Sequence, residues 1–161
     1  MLLTALSFWQ LALGLHVIIA VAALGVLVAY PLIGVTAERT DPRVVPTLHR
    51  VRVTIGRSLV NPGLALVLIA GLYLAGEHHL WDRFYVIFGI VAVVVLGAVE
   101  GALVGRYSKR LAEIARRDVD ASGDGRVLWS DEYLALRAGL DRGNALMALI
   151  VIITVFLMVV R

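Results

Sequence analysis

Cysteine is absent from this chain, and lysine is almost absent. Without thiols the chain can form no disulfide, no thiolate metal site and no cysteine nucleophile, and its redox compartment stays undetermined. Lys109 is the one lysine among the 15 basic residues, and the others are arginine. This bias is typical of a GC-rich coding sequence and indicates a bacterial source.

The motifs that mark common enzyme sites are also missing. The sequence contains no GxSxG, Walker, dinucleotide-binding or HExxH pattern. No serine, histidine and aspartate can be placed at the same depth in the protein to form a catalytic triad. The sequence therefore assigns no catalytic residue and no metal site, and it favours a non-enzymatic protein.

Apolar sequence is what the chain has in abundance. Of its 161 residues 60% are apolar, and the mean hydropathy is +0.89, which leaves too little polar surface for a soluble domain of this size. Four apolar stretches run approximately over residues 5–33, 57–75, 84–104 and 140–160. Each can cross a hydrocarbon core about 30 Å thick, which takes about 20 helical residues. These stretches predict an all-α fold, a four-helix transmembrane bundle with cytoplasmic helical extensions, as a single transmembrane domain over residues 1–161.

Basic residues concentrate in two of the three connections between these stretches. The connection between the second and third stretches carries only Arg83, whereas the other two are rich in arginine. By the positive-inside rule both basic connections are cytoplasmic and both termini lie outside. We therefore expect a multi-pass protein of the bacterial cytoplasmic (inner) membrane, whose basic residues contact lipid phosphates rather than nucleic acid.

His16 is an ionisable residue near the middle of the first stretch. Ala12, Ala20 and Ala23 share its helix face, and such a stripe of small residues favours close contact with another helix. Two interpretations stay open: a neutral histidine bonded to the neighbouring helix, or a cofactor ligand or proton-relay group. The first is favoured because one histidine makes an incomplete site.

Glu100 lies in the inner third of the third stretch, beside a repeat of glycines at every fourth position, 97, 101 and 105. An ionisable group inside a span costs roughly 2.5 kcal/mol or more, so it usually has partners. We expect an intramembrane polar cluster in which Glu100 pairs with Arg57 or bonds to an asparagine, Asn61 or Asn144. The cluster is either an ion or proton path or a structural pair that sets helix register, and the second is favoured.

Two polar loops carry weaker signals. Residues 120–131 partly follow the calcium-loop pattern, with Asp120, Ser122 and Asp124 at alternating positions, but the twelfth position is aspartate. His78 and His79 are adjacent, and adjacent side chains diverge on a helix. We interpret both segments as ordinary polar loops.

Several short motifs resemble those of a known family. They are Leu15-His16-Val17-Ile18, Pro62-Gly63, Ala70-Gly71-Leu72-Tyr73-Leu74, Trp81 and the basic run from Arg106 to Arg110. Together they are similar to an uncharacterised bacterial family of four-span integral membrane proteins. That family is distantly similar to the copper-resistance D domain and to the J-type protoporphyrinogen oxidase.

The resemblance covers about the first 115 residues and implies a cofactor. In the oxidase-like relatives a first-span histidine is implicated in haem binding, which would correspond to His16. This chain lacks their lysine in the third span and their second intramembrane histidine.

Three functions follow from these patterns. The first is a non-enzymatic subunit or small transporter-like component, acting with a membrane-protein partner or as a homo-oligomer in the lipid bilayer. The second is a haem- or metal-binding membrane redox protein using His16, and the third is a proton-coupled exporter centred on Glu100.

Overall fold

Residues 7–160 are described by a computed structural model, with the side chain of Leu103 excepted. Every regular element within this range is helical. The predicted start of the first span, at residue 5, lies outside the described residues. Four continuous helical segments are long and apolar enough to cross a membrane: Phe8–Thr40, Pro42–Glu77, Phe84–Ala121 and Asp131–Val160. The chain is thus an integral membrane protein with the predicted all-α, four-helix architecture.

Two of the four segments are composite. The first segment is the single helix α1 (Phe8–Thr40), and the last is α6 (Asp131–Val160). The second begins with a 3₁₀ turn and joins two helices through a π turn: Pro42–Val44, α2 (Val45–Ile55), the π turn Gly56–Val60 and α3 (Asn61–Glu77). The third is built similarly from α4 (Phe84–Ala98), the π turn Val99–Val104 and α5 (Gly105–Ala121).

Local sequence explains where these segments begin. The Ser7 amide donates to the Gln10 side chain at 3.0 Å, which is half of a capping box at the start of α1. The Asp41 carboxylate accepts the Arg43 amide at 3.0 Å, and Pro42 occupies a first-turn position where its missing amide proton costs nothing. The Asp-Pro pair therefore ends α1 and starts the second segment.

The π turn of the second segment lies directly before Pro62. Proline has no amide proton, and its ring clashes with the carbonyl four residues earlier in a regular helix. Here the Asn61 amide bonds to the Gly56 carbonyl, five residues back. The widened turn therefore carries the helix past Pro62 without ending it.

The helices pack in a closed ring in the order α1, α3, α4, α6, each contacting its two neighbours. Buried apolar side chains such as Leu27, Val60, Leu96 and Met147 fill the interior. Many large apolar side chains elsewhere on the four segments are exposed, as expected where lipid is the solvent. Helices α1 and α3 pack closely, and a methyl group on Gly63 would lie 2.7 Å from the Ala23 Cβ.

The two ends of the bundle differ in chemistry. At one end, which we call the arginine-rich end (residues 34–56 and 105–139), α2 packs on α5. At the other end, Phe8 of α1 meets Tyr73 of α3 with ring centroids 5.4 Å apart, and Trp9 meets His78 at 5.3 Å. These rings form an aromatic belt of the kind that anchors membrane proteins at the membrane–water interface.

The loop with the partial calcium pattern is held by a side chain of the same chain. Arg43 donates through Nη2 to the Gly123 carbonyl at 2.6 Å and to the Gly125 carbonyl at 2.9 Å. The Asp118 carboxylate, just before this loop, accepts the Ser130 amide and hydroxyl near the loop's other end at 2.9 and 2.8 Å. A guanidinium of the same chain thus holds the backbone of this loop in place.

Candidate functional site

The two π turns contact each other inside the bundle. In the third segment the Gly105 amide bonds to the Glu100 carbonyl, five residues back. The Glu100 side chain points at the second segment, where a methyl group on Gly56 would lie 2.9 Å from Glu100 Oε1. Glycine at position 56 therefore leaves the space that the carboxylate occupies. Paired π turns at a polar residue are typical of functional sites.

Glu100 is buried and incompletely bonded. Its residue is 3% exposed, and Oε2 is buried without a hydrogen-bond partner. It takes part in none of the ion pairs formed within residues 7–160. A carboxyl group in this position carries a large desolvation cost when charged.

Glu100 lines a cavity of about 240 Å³ between the second and third segments. The polar inner wall also includes Arg52, Asn61 and Ser108, and the Asn61 Oδ1 and Ser108 Oγ atoms are buried without partners. The cavity therefore offers several unsatisfied polar atoms around one carboxyl group. Such a space suits a small polar guest or water.

Arg52 is the buried cation of this site. It is 7% exposed, its Nη2 donates to Asn144 Oδ1, and its Cζ lies 4.2 Å from the centroid of the Tyr30 ring. The Tyr30 hydroxyl donates to the Arg52 carbonyl at 3.5 Å. Arg52 therefore ties α2 to α1 and α6, while its Nε remains without a partner.

The structure places the predicted polar residues around Arg52 in an unexpected arrangement. Glu100 and Asn61 line the cavity, and Asn144 bonds to Arg52 from α6. Arg57 lines the same cavity but is exposed and forms no ion pair with Glu100. Arg52, and not Arg57, is thus the buried basic residue of the cluster, because Arg57 lies on the exposed side of the π turn.

The positive-inside rule counts Arg52 among the basic residues of a connection and gives it no place in the polar cluster. A pattern in the sequence nevertheless marks Arg52 as a buried residue. Val45, Arg52, Gly56 and Val60 follow one another at spacings of seven, four and four residues, and all are buried. An arginine on the apolar face of a helix needs a partner inside the protein.

His16 lies apart from this cluster, partly buried between α1 and α3. A methyl group on Gly71 would lie 3.2 Å from His16 Cε1 and 3.7 Å from Nδ1. The ring interacts with the Val67 main chain, and Nδ1 is buried without a hydrogen-bond partner. The histidine therefore packs edge-on against the neighbouring helix.

One ring nitrogen of His16 is poorly placed to bind a haem. The Nδ1 edge lies against α3 at Gly71 and does not face open space. No group of three or more histidine, cysteine, aspartate or glutamate side chains in the described part of the chain could hold a metal ion. A haem ligand needs a nitrogen that faces open space.

A second polar network was not predicted from the sequence. The Tyr133 hydroxyl donates to Glu38 Oε1 at 2.9 Å and lies 3.4 Å from His49 Nε2, while Arg137 pairs with Glu38. The Trp129 ring stacks on Tyr133 with centroids 4.4 Å apart. This network joins α1, α2 and α6 at the arginine-rich end.

The fold and the cavity define an integral membrane four-helix protein with a buried polar site. Comparisons with protein-family models, with curated proteins and with solved structures find no match to this chain.

Proposed function

We propose that the protein is a small, non-enzymatic, transporter-like component of the bacterial cytoplasmic membrane, with a proton path through Glu100. The observation that carries this proposal is the buried Glu100 Oε2 without a partner. A carboxyl group that only sets helix register would have its oxygens satisfied by neighbours. One that takes up and releases a proton needs space and changing hydration beside it.

The cavity supplies that space and a route to one surface. From Glu100 it extends to the exposed residues Arg57, Arg106 and Lys109 near the arginine-rich end. Protons therefore reach Glu100 from this end through the cavity. Release of the proton toward the aromatic end requires a change in helix packing. The two π turns are suited to such a change because the regular α-helical hydrogen-bond pattern is already interrupted there.

The test is proton flux through the E100Q variant in sealed vesicles. Glutamine keeps the shape of the side chain and removes its titratable proton. We expect vesicles with the wild-type protein to acidify after an external acid jump, and E100Q vesicles to acidify no faster than protein-free ones. A trapped pH-sensitive dye reports the internal pH. Asp124→Asn, an exposed carboxylate at the same end of the bundle that lines neither cavity, is the matched control and should behave as wild type.

A folded E100Q protein that conducts protons like the wild type would overturn the proposal. If E100Q does not fold, Gly56→Ala provides the second variant. Its new methyl group would lie 2.9 Å from Glu100 Oε1 and must displace the carboxyl group while leaving it titratable. Unchanged flux in that variant would contradict a path through this position.

The membrane orientation is part of the same proposal. Because the basic residues lie in two connections on one end of the bundle, both ends of the chain should be outside and the arginine-rich end cytoplasmic. Reporter fusions after residue 160 and within residues 122–130 should give opposite compartments. The same compartment for both fusions would be incompatible with this orientation.

We also propose that the chain belongs to the uncharacterised four-span family, on the basis of the short motifs around His16 and Pro62-Gly63. Exposed apolar side chains on all four segments provide surface that lipid covers and that a partner subunit or a second copy would share. Cross-linking in native membranes distinguishes these arrangements.

A further inference from the structure

The basic residues of α5 fall on two faces with different partners. On the face toward α6, Arg110 and Arg117 both pair with Glu132, at 2.8 and 3.3 Å. On the face toward α2, the sequence places Arg106, Lys109, Glu113 and Arg116 at spacings of three, four and three residues. The first face is neutralised within the protein, and the second carries an excess of positive charge.

The second face and α2 line two neighbouring cavities, which together we call the basic groove. The outer part is a cavity of about 380 Å³, lined by Arg50, Val53, Lys109, Ala112, Glu113 and Arg116. It adjoins the Glu100 cavity, since Val53 and Lys109 line both. Arg57 and Arg106 stand on the rim of the inner cavity. We call Arg50, Arg57, Arg106, Lys109 and Arg116 the groove cations.

Few acidic side chains of the protein neutralise the positive charge of the groove cations. Arg50, Arg57, Arg106 and Lys109 form no ion pair with any described residue, and Arg116 has one exposed pair with Asp120 at 3.7 Å. Glu113 is one carboxylate facing three basic side chains in the outer groove. Several unpaired donors converging on one space are complementary to an anion with several oxygens.

The position of the groove indicates where that anion comes from. Arg57 and Arg106 lie next to the ends of the apolar stretches 57–75 and 84–104, at the level where phospholipid phosphates meet a spanning helix. Val53 and Ala112 give the groove apolar surface between the charges. The ligand is therefore held at the bilayer surface and has an apolar part.

We propose that this groove is a specific binding site for the phosphate headgroup of an acidic phospholipid. Arg106 and Lys109 of α5 face Arg57 of the second segment, and these three hold the phosphate. Arg50 and Arg116 hold the remainder of the headgroup. The site includes the exposed mouth of the Glu100 cavity but not Glu100 itself, so we expect lipid binding that does not require Glu100 to take up or release a proton.

Native mass spectrometry of the full chain in neutral detergent tests this proposal. The probes are phosphatidylglycerol, phosphatidylcholine and inorganic phosphate, each titrated separately. We expect saturable binding of phosphatidylglycerol and much weaker binding of phosphatidylcholine. The double variant Arg106→Gln with Lys109→Gln should weaken phosphatidylglycerol binding about thirtyfold, since each basic residue near an acidic surface contributes about 1 kcal/mol.

The matched control is the double variant Arg39→Gln with Arg126→Gln. These two arginines are exposed at the same end of the bundle and line neither part of the groove. An equal loss of binding in this control would show non-specific attraction and overturn the site. Binding of inorganic phosphate but not of the lipid, lost in the groove variant, would overturn the lipid as the ligand. Retained lipid binding in E100Q would show that the site stands whether or not the proton path is correct.

Discussion

Replacing Gly63 by leucine should prevent the four helices from assembling. Even a methyl group at this position would lie 2.7 Å from the Ala23 Cβ and 3.9 Å from the Ala23 Cα. Ala23 is fully buried, so neither helix can yield by moving a flexible side chain. Overpacking a tight interior by a few methylene groups costs about 1–3 kcal/mol and more where backbone must shift. Association of helices in lipid relies on such close contacts because lipid is as apolar as the side chains.

The measurement is the yield of monodisperse protein in detergent and its thermal transition by circular dichroism. Gly63→Leu should give little monodisperse protein, or a transition well below that of the wild type. Gly25→Leu is the matched control, because Gly25 on α1 is exposed and nothing lies within 4 Å of a methyl group there. Equal yields and transitions for Gly63→Leu and the wild type would show that α1 and α3 do not pack as described.

Replacing Arg52 by alanine should be the most destabilising change among the arginines. The variant loses a desolvated cation–π contact with Tyr30, about 2 kcal/mol, and a hydrogen bond to Asn144, about 1.5 kcal/mol. Relief of the desolvation of a buried charge offsets part of this loss. We expect a net destabilisation of about 2–3 kcal/mol, measured by thermal or denaturant unfolding in detergent.

Two comparisons isolate the contacts of Arg52. Arg50→Ala, on the exposed side of the same helix, should change the free energy of unfolding by less than about 0.5 kcal/mol. In a double-mutant cycle, Arg52→Ala and Asn144→Ala should be less than additive, because each removes the same hydrogen bond. Strict additivity, or an Arg52→Ala protein as stable as the wild type, would show that the guanidinium does not join α2 to α6.

Part of the candidate site could be predicted from the sequence. Counting residues from the span ends predicts a similar depth for four polar residues, Glu100, Arg57, Asn61 and Asn144. In the structure the first three line one cavity with Arg52, and Asn144 bonds to Arg52 from α6. The depth of a residue in the membrane follows from the rise per residue of its helix, so it can be predicted without tertiary information. Which face of a helix points inward is harder to predict, because the π turn Gly56–Val60 changes the rotation between Arg52 and Asn61.

The spans themselves were determined by the sequence alone. In lipid each backbone polar group must bond within its own helix, so length and apolar composition suffice to predict four spanning helices. The tertiary structure alone decided that the partners of Arg52 are Asn144 and Tyr30. It alone also joined Tyr133 to Glu38, 95 residues away in the chain. Such pairs depend on how whole helices pack against one another, and no local pattern of residues records that geometry.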